Sequence, residues 1–114
     1  MPQYLILLRN NGEPFDSLSP EEMQKTQEKY FAWRSKPFAV DGSRLDRAGR
    51  VIRKKNGSVS VSDGPFTEGR EVLGGYYAIE AADLDEAVKL ALTNPHVDFG
   101  TIEVRELVAR PSEK

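Results

Sequence analysis

An α+β fold, one antiparallel sheet with two helices on one of its faces, follows from three observations on the sequence. Apolar or alternating runs too short for ordinary helices stand near both ends, two segments open with helix-capping residues, and an Asn-Gly pair joins two alternating runs between them. A length of 114 residues suits a single domain over residues 1–114, large enough for its own core.

Each element has its own signature. Residues 4–9 are almost continuously apolar, as expected of a central strand buried on both faces. A loop with Asn, Gly and Pro follows over 10–18. Ser19, Pro20, Glu21 and Glu22 then supply an N-cap, a proline at the first helical position and an acid at the third. The helix runs from Pro20 until Lys36-Pro37 stops it, with Met23, Gln27, Tyr30, Phe31 and Arg34 on one face and Trp33 at its edge. Residues 38–50 are irregular, with a short strand at 39–40. Alternating runs over 50–54 and 58–62 flank Asn56-Gly57, a strong hairpin signal. Residues 71–80 form a strand interrupted by Gly74-Gly75, where a bulge or a close backbone approach is expected. Asp83 to Glu86 repeat the capping logic, and Leu84, Ala87, Val88, Ala91 and Leu92 make the stripe of a second helix ended by Asn94-Pro95. Over 101–108, Ile102 and Val104 alternate with Glu103 and Arg105 as a last strand.

Strand, helix, strands, strand, helix, strand is the split β-α-β order of ferredoxin-like folds. Both helices must then cover one sheet face. The other carries Leu5, Leu7 and Tyr76 or Tyr77, too apolar to stay bare, so a homodimer with its sheets face to face is expected.

Composition removes several function classes. There is no cysteine, hence no disulfide framework or thiolate nucleophile, and His96 is the one histidine, so neither a transition-metal site nor another cofactor is expected. A net charge of −2 gives no global attraction to nucleic acid or an anionic membrane. The longest apolar run, residues 5–8, is far short of a bilayer span and no signal segment opens the chain, so a cytoplasmic protein is expected.

Several pieces, in this order, resemble the YCII-related proteins, and within them the branch named for an Asp-Gly-Pro-Phe motif. They are residues 4–9, Ser19 to Met23, Trp33, Asp63-Gly64-Pro65-Phe66, Leu73-Gly74-Gly75-Tyr76-Tyr77, Asp83 to Ala87 and Glu103-Val104-Arg105, spanning nearly the whole chain. The resemblance implies a ferredoxin-like subunit that dimerises into an α+β barrel with a cleft between sheets. Some relatives in the wider family are similar to lyase-type or dehalogenating enzymes that use a His-Asp pair. The histidine of that pair belongs to the first helix, where this chain has Tyr30, Trp33 and Arg34, so the pair is not carried over.

The candidate site residues each have two readings. Asp63 is a general base facing a cleft, its pKa raised by burial near Phe66, or the cap of its own turn before Gly64-Pro65. Arg9 and Arg105 hold an anionic group, or pair with Glu103, Glu80 or Glu106 across the sheet, the commoner arrangement. Tyr76, Tyr77 and Phe66 line an aromatic pocket, or fill core and interface, as Trp33 is expected to do. His96 reads as a surface loop residue. The basic run Arg44, Arg47, Arg50, Arg53, Lys54 and Lys55 reads as a solvated hairpin edge rather than a nucleic-acid patch. Together these residues point to a dimeric domain that binds, and through acid-base chemistry could transform, a small polar or aromatic molecule. The alternative is a non-catalytic binding or regulatory protein that acts through its surface.

Overall fold

The computed structural model describes residues 1–64 and 71–109. Strand β1 is Gln3–Asn10, followed by the one-turn helix α1, Glu13–Asp16, and the long helix α2, Pro20–Arg34. Strands β2 (Ala39–Arg44), β3 (Gly49–Lys55), β4 (Ser58–Gly64) and β5 (Val72–Glu80) come next. Helix α3 (Leu84–Ala91), a 3-10 turn (Pro95–Asp98) and strand β6 (Thr101–Glu106) complete the order. Four strands form an antiparallel sheet in the order β2-β5-β1-β6, while among the described residues β3 and β4 pair only with each other. This is the expected α+β, ferredoxin-like arrangement. No helix among the described residues is long and apolar enough to cross a membrane.

Local chemistry fixes the helix starts. The Ser19 hydroxyl accepts from the Glu22 N–H at 3.1 Å and the Glu22 carboxylate accepts from the Ser19 N–H at 3.0 Å, a reciprocal cap. The Asp83 carboxylate caps α3 from the Glu86 N–H at 2.8 Å. Each such cap contributes about 1 kcal/mol. The double glycine also does what its position suggests: Leu8 pairs with Gly75 and Arg9 with Leu73, so Gly74 is the extra residue of a bulge.

The core lies between the sheet and the helices. Tyr4, Ile6 and Leu8 of β1 and Tyr77 and Ile79 of β5 meet Trp33 of α2 and Ala87 and Ala91 of α3. β1 is central, as expected, but buries only one face completely, with Leu5 and Leu7 half-buried on the other. Trp33 is an anchor rather than an edge residue: its ring packs edge-on against Tyr77 and Phe38, and its Nε1–H donates to the Thr93 hydroxyl at 2.9 Å. The inward face of α2 is accordingly Met23, Thr26, Tyr30 and Trp33, spaced three, four and three, while Phe31 stands in solvent. On α3 the two alanines and Leu90 meet the core, and the bulkier Leu84, Val88 and Leu92 ride outside. Small side chains let that helix approach the sheet, which lifts its larger row off the contact. β2 is also longer than the two residues expected, because its backbone pairs along β5 from Ala39 to Arg44.

Candidate functional site

A cleft of about 930 Å³ opens between α2 and the end of the sheet, closed by α1 and the chain after β2. Its apolar wall includes Leu8, Phe15 and Tyr77, its rim carries Arg34, Arg44 and Asp16, and Tyr30 and His96 lie at its base. The volume is within the range of small-molecule sites.

His96 corrects the sequence expectation. The 3-10 turn, capped by the Asn94 side chain on the His96 N–H at 2.8 Å, carries the imidazole into the interior, where it is 2% exposed. Its Nε2 lies 2.8 Å from the Arg9 carbonyl oxygen and its Nδ1 2.8 Å from the Tyr30 hydroxyl. A carbonyl can only accept, so Nε2 carries the proton and donates; Nδ1 is then the acceptor of the Tyr30 O–H. The tautomer is thus set by chemistry, and the phenol oxygen retains lone pairs for another partner. Phe15 and Phe99 stack on each other at 4.9 Å beside this pair, with Phe15 also stacked on the imidazole. The close seat needs Gly100, since a Cβ there would overlap the Arg9 carbonyl oxygen and lie 2.8 Å from Nε2.

The electrostatics favour neutral forms at this base. Burial pushes the His96 pKa below its ordinary value, against the opposing pull of the Arg9 carbonyl and the Glu71 carboxylate. Burial likewise pushes the Tyr30 phenol upward, helped by Tyr77 and Asp98. Tyr77 is raised by burial too, and its hydroxyl donates to the Tyr30 carbonyl at 3.0 Å, which steadies the turn of α2 that carries the phenol. At the rim, Arg34 donates to the Gly42 carbonyl at 2.8 Å and faces Asp41, whose carboxyl is held below the usual range chiefly by the Gly42 N–H.

The residues singled out from sequence divide among three places. Arg9, Arg105 and Tyr76 gather on the sheet face away from the helices, where both guanidinium groups meet Glu103, Arg9 at 2.5 Å and Arg105 at 3.5 Å. Tyr77 points the other way, into core and cleft. Asp63 is the last but one residue of β4, with its side chain 91% exposed and its carboxylate 3.3 Å from Arg50 on the paired strand. The burial expected for it is absent within one chain. Phe66 lies outside the described residues. Sequence reasoning missed the Tyr30–His96 pair, although Gly100 and the Asn94-Pro95 cap were its available signals.

Two comparisons bear on this arrangement. The model of the YCII-related domain matches residues 3–110. A protein of Rhizobium meliloti (strain 1021), itself uncharacterised, is 32% identical over 121 aligned residues that cover 96% of each chain.

Proposed function

We propose that this chain, which belongs to the YCII-related domain family, binds a small polar or aromatic molecule in the cleft beneath α2 and exchanges a proton with it through Tyr30 and His96. The observation that carries this is the buried run from the Arg9 carbonyl through His96 to the Tyr30 hydroxyl, ending at a cleft of about 930 Å³. A bound O–H or N–H would donate to the free lone pair of the phenol. As that proton moves onto the Tyr30 oxygen, the original phenolic proton passes to Nδ1 of His96, and the imidazolium so formed donates both N–H groups, one to Tyr30 and one to the Arg9 carbonyl. The reverse sequence returns a proton to the product. Two neutral groups, neither basic enough alone, thereby act as one base in a shielded place.

The unit in this reading is a homodimer, supported by the half-buried Leu5 and Leu7 and by Tyr76 on the sheet face opposite the described helices. Asp63 then stands near a subunit boundary and outside the proton path. A non-catalytic binding role uses the same cleft, with Tyr30 and His96 serving only to pin α2 to the sheet.

Because His96 is the only histidine, its imidazole gives an isolated pair of ¹⁵N resonances. Those resonances are expected to report a protonated Nε2 and an acceptor Nδ1. Among small phenols and carboxylic acids screened by thermal shift, a binder should move them and should lose at least tenfold in affinity in Tyr30→Phe. Equal affinity in both proteins would remove Tyr30 from the site, and a binder that is never turned over would favour the non-catalytic role.

A further inference from the structure

The hairpin of β3 and β4 stands apart from the body. Of its fourteen strand residues only Val51 and Gly64 are half-buried, the rest being exposed. The Cα radius of gyration is 16.4 Å, whereas a compact chain of this length has about 13 Å. Each strand has seven residues and so reaches about 20 Å. A two-stranded ribbon with no third layer is marginal in water. Yet the register places Ile52 opposite Val61, with Val59 two residues along on the same face, and these are 70%, 61% and 64% exposed. Alternating strands hide such a face when they have something to hide it against.

A matching surface exists on the same chain, at the opposite edge of its sheet. Between α3 and β6 runs an apolar groove of about 260 Å³, lined by Val88, Leu92, Val97, Ile102 and Val104. It borders β6, one edge of the sheet, while the arm leaves from β2, the opposite edge. Charge distinguishes the two surfaces. The arm carries Arg50, Arg53, Lys54 and Lys55 against Asp63, net +3, which leaves −5 for the rest of a chain whose total is −2. The groove's helical wall, α3 with its Asp83 cap and the 3-10 turn, holds Asp83, Asp85, Glu86 and Asp98 against Lys89, net −3.

We propose that the basic arm of one copy lies, by its Ile52, Val59 and Val61 face, in the α3–β6 groove of a second copy, whose helical wall carries net negative charge. In a two-fold pair each copy gives one arm and receives one, so the contact closes on itself and covers both apolar surfaces at once. The inference shares the dimer with the proposed function and is independent of the cleft.

The cysteine-free sequence makes the test direct. Val61→Cys and Leu92→Cys proteins, mixed in equal amounts and oxidised, should give a covalent dimer whose peptide map joins 61 to 92, while either protein oxidised alone should give far less. Val59→Asp should raise the dimer dissociation constant at least tenfold in sedimentation, and moving from 50 to 500 mM salt should raise it several-fold. A dimer that forms no 61–92 link and ignores Val59→Asp would overturn arm docking and leave the dimer standing. A protein that stays monomeric at every concentration would overturn both.

Discussion

The base of the cleft and the tip of the arm have opposite arrangements. Around His96 the imidazole and phenol each have a partner at 2.8 Å, and the packing is tight enough to require a glycine. On the arm, three large aliphatic side chains face water and the ladder is held by one strand pairing. The body is over-determined and the arm under-determined. Changes at the first should be read in unfolding experiments, and changes at the second in association.

The comparison predicts an ordered series. Gly100→Ala should cost most, about 3 kcal/mol in urea unfolding, because the new methyl must displace either the Arg9 carbonyl or His96. His96→Gln should cost about 2 kcal/mol, since Tyr30 and the Arg9 carbonyl lose well-placed partners in a buried site. It should also remove a pH dependence. With the folded pKa of His96 depressed, the unfolded chain takes up a proton that the native one refuses, so the contribution is complete above the ordinary value of about 6.5 and is lost as pH falls from there through the depressed folded value. Melting temperature measured from pH 7.5 to 5.5 should fall in the native protein and stay flatter in His96→Gln. Arg9→Ala should cost under about 1 kcal/mol, the range of a half-exposed ion pair, despite the short contact with Glu103. Ile52→Ser should change the unfolding free energy of the isolated subunit by less than about 0.5 kcal/mol, because its side chain is 70% exposed there. A large loss there, in dilute monomer, would show that the arm is part of the body after all.

What the sequence revealed was local. Ser19 with Glu22, Asp83 with Glu86, Asn56-Gly57 and the Gly74 bulge each act over a few residues, and each appears where the pattern put it. The strand order followed because these pieces, correctly placed, leave few ways to connect them. His96 was not legible in the same way: its partners are Tyr30, 66 residues away, and the backbone of Arg9, 87 away. No periodicity connects such positions, and a single polar residue after Asn-Pro looks like a loop until tertiary packing closes over it. Phe31 and Leu92 failed for a related reason. A stripe on a helical wheel says which side chains share a face, and not how far small neighbours let that face approach the sheet. The Asp63 motif marks a strand end reliably, but the direction in which a free hairpin points is not encoded in its own turn.

The chain leaves the four-stranded sheet after Arg44 and rejoins it at Val72, the partner of Asn10, while Arg44 itself faces Gly75 across the β2–β5 ladder and the Leu45 N–H bonds the Gly74 carbonyl at 3.0 Å. Their ends are therefore already as close as a tight turn would hold them. The hairpin of β3 and β4 is an excursion from a connection the sheet could make with a few residues. That hairpin can lengthen, shorten or change its charge without disturbing a rung of the β2-β5-β1-β6 sheet, because its own ladder is separate.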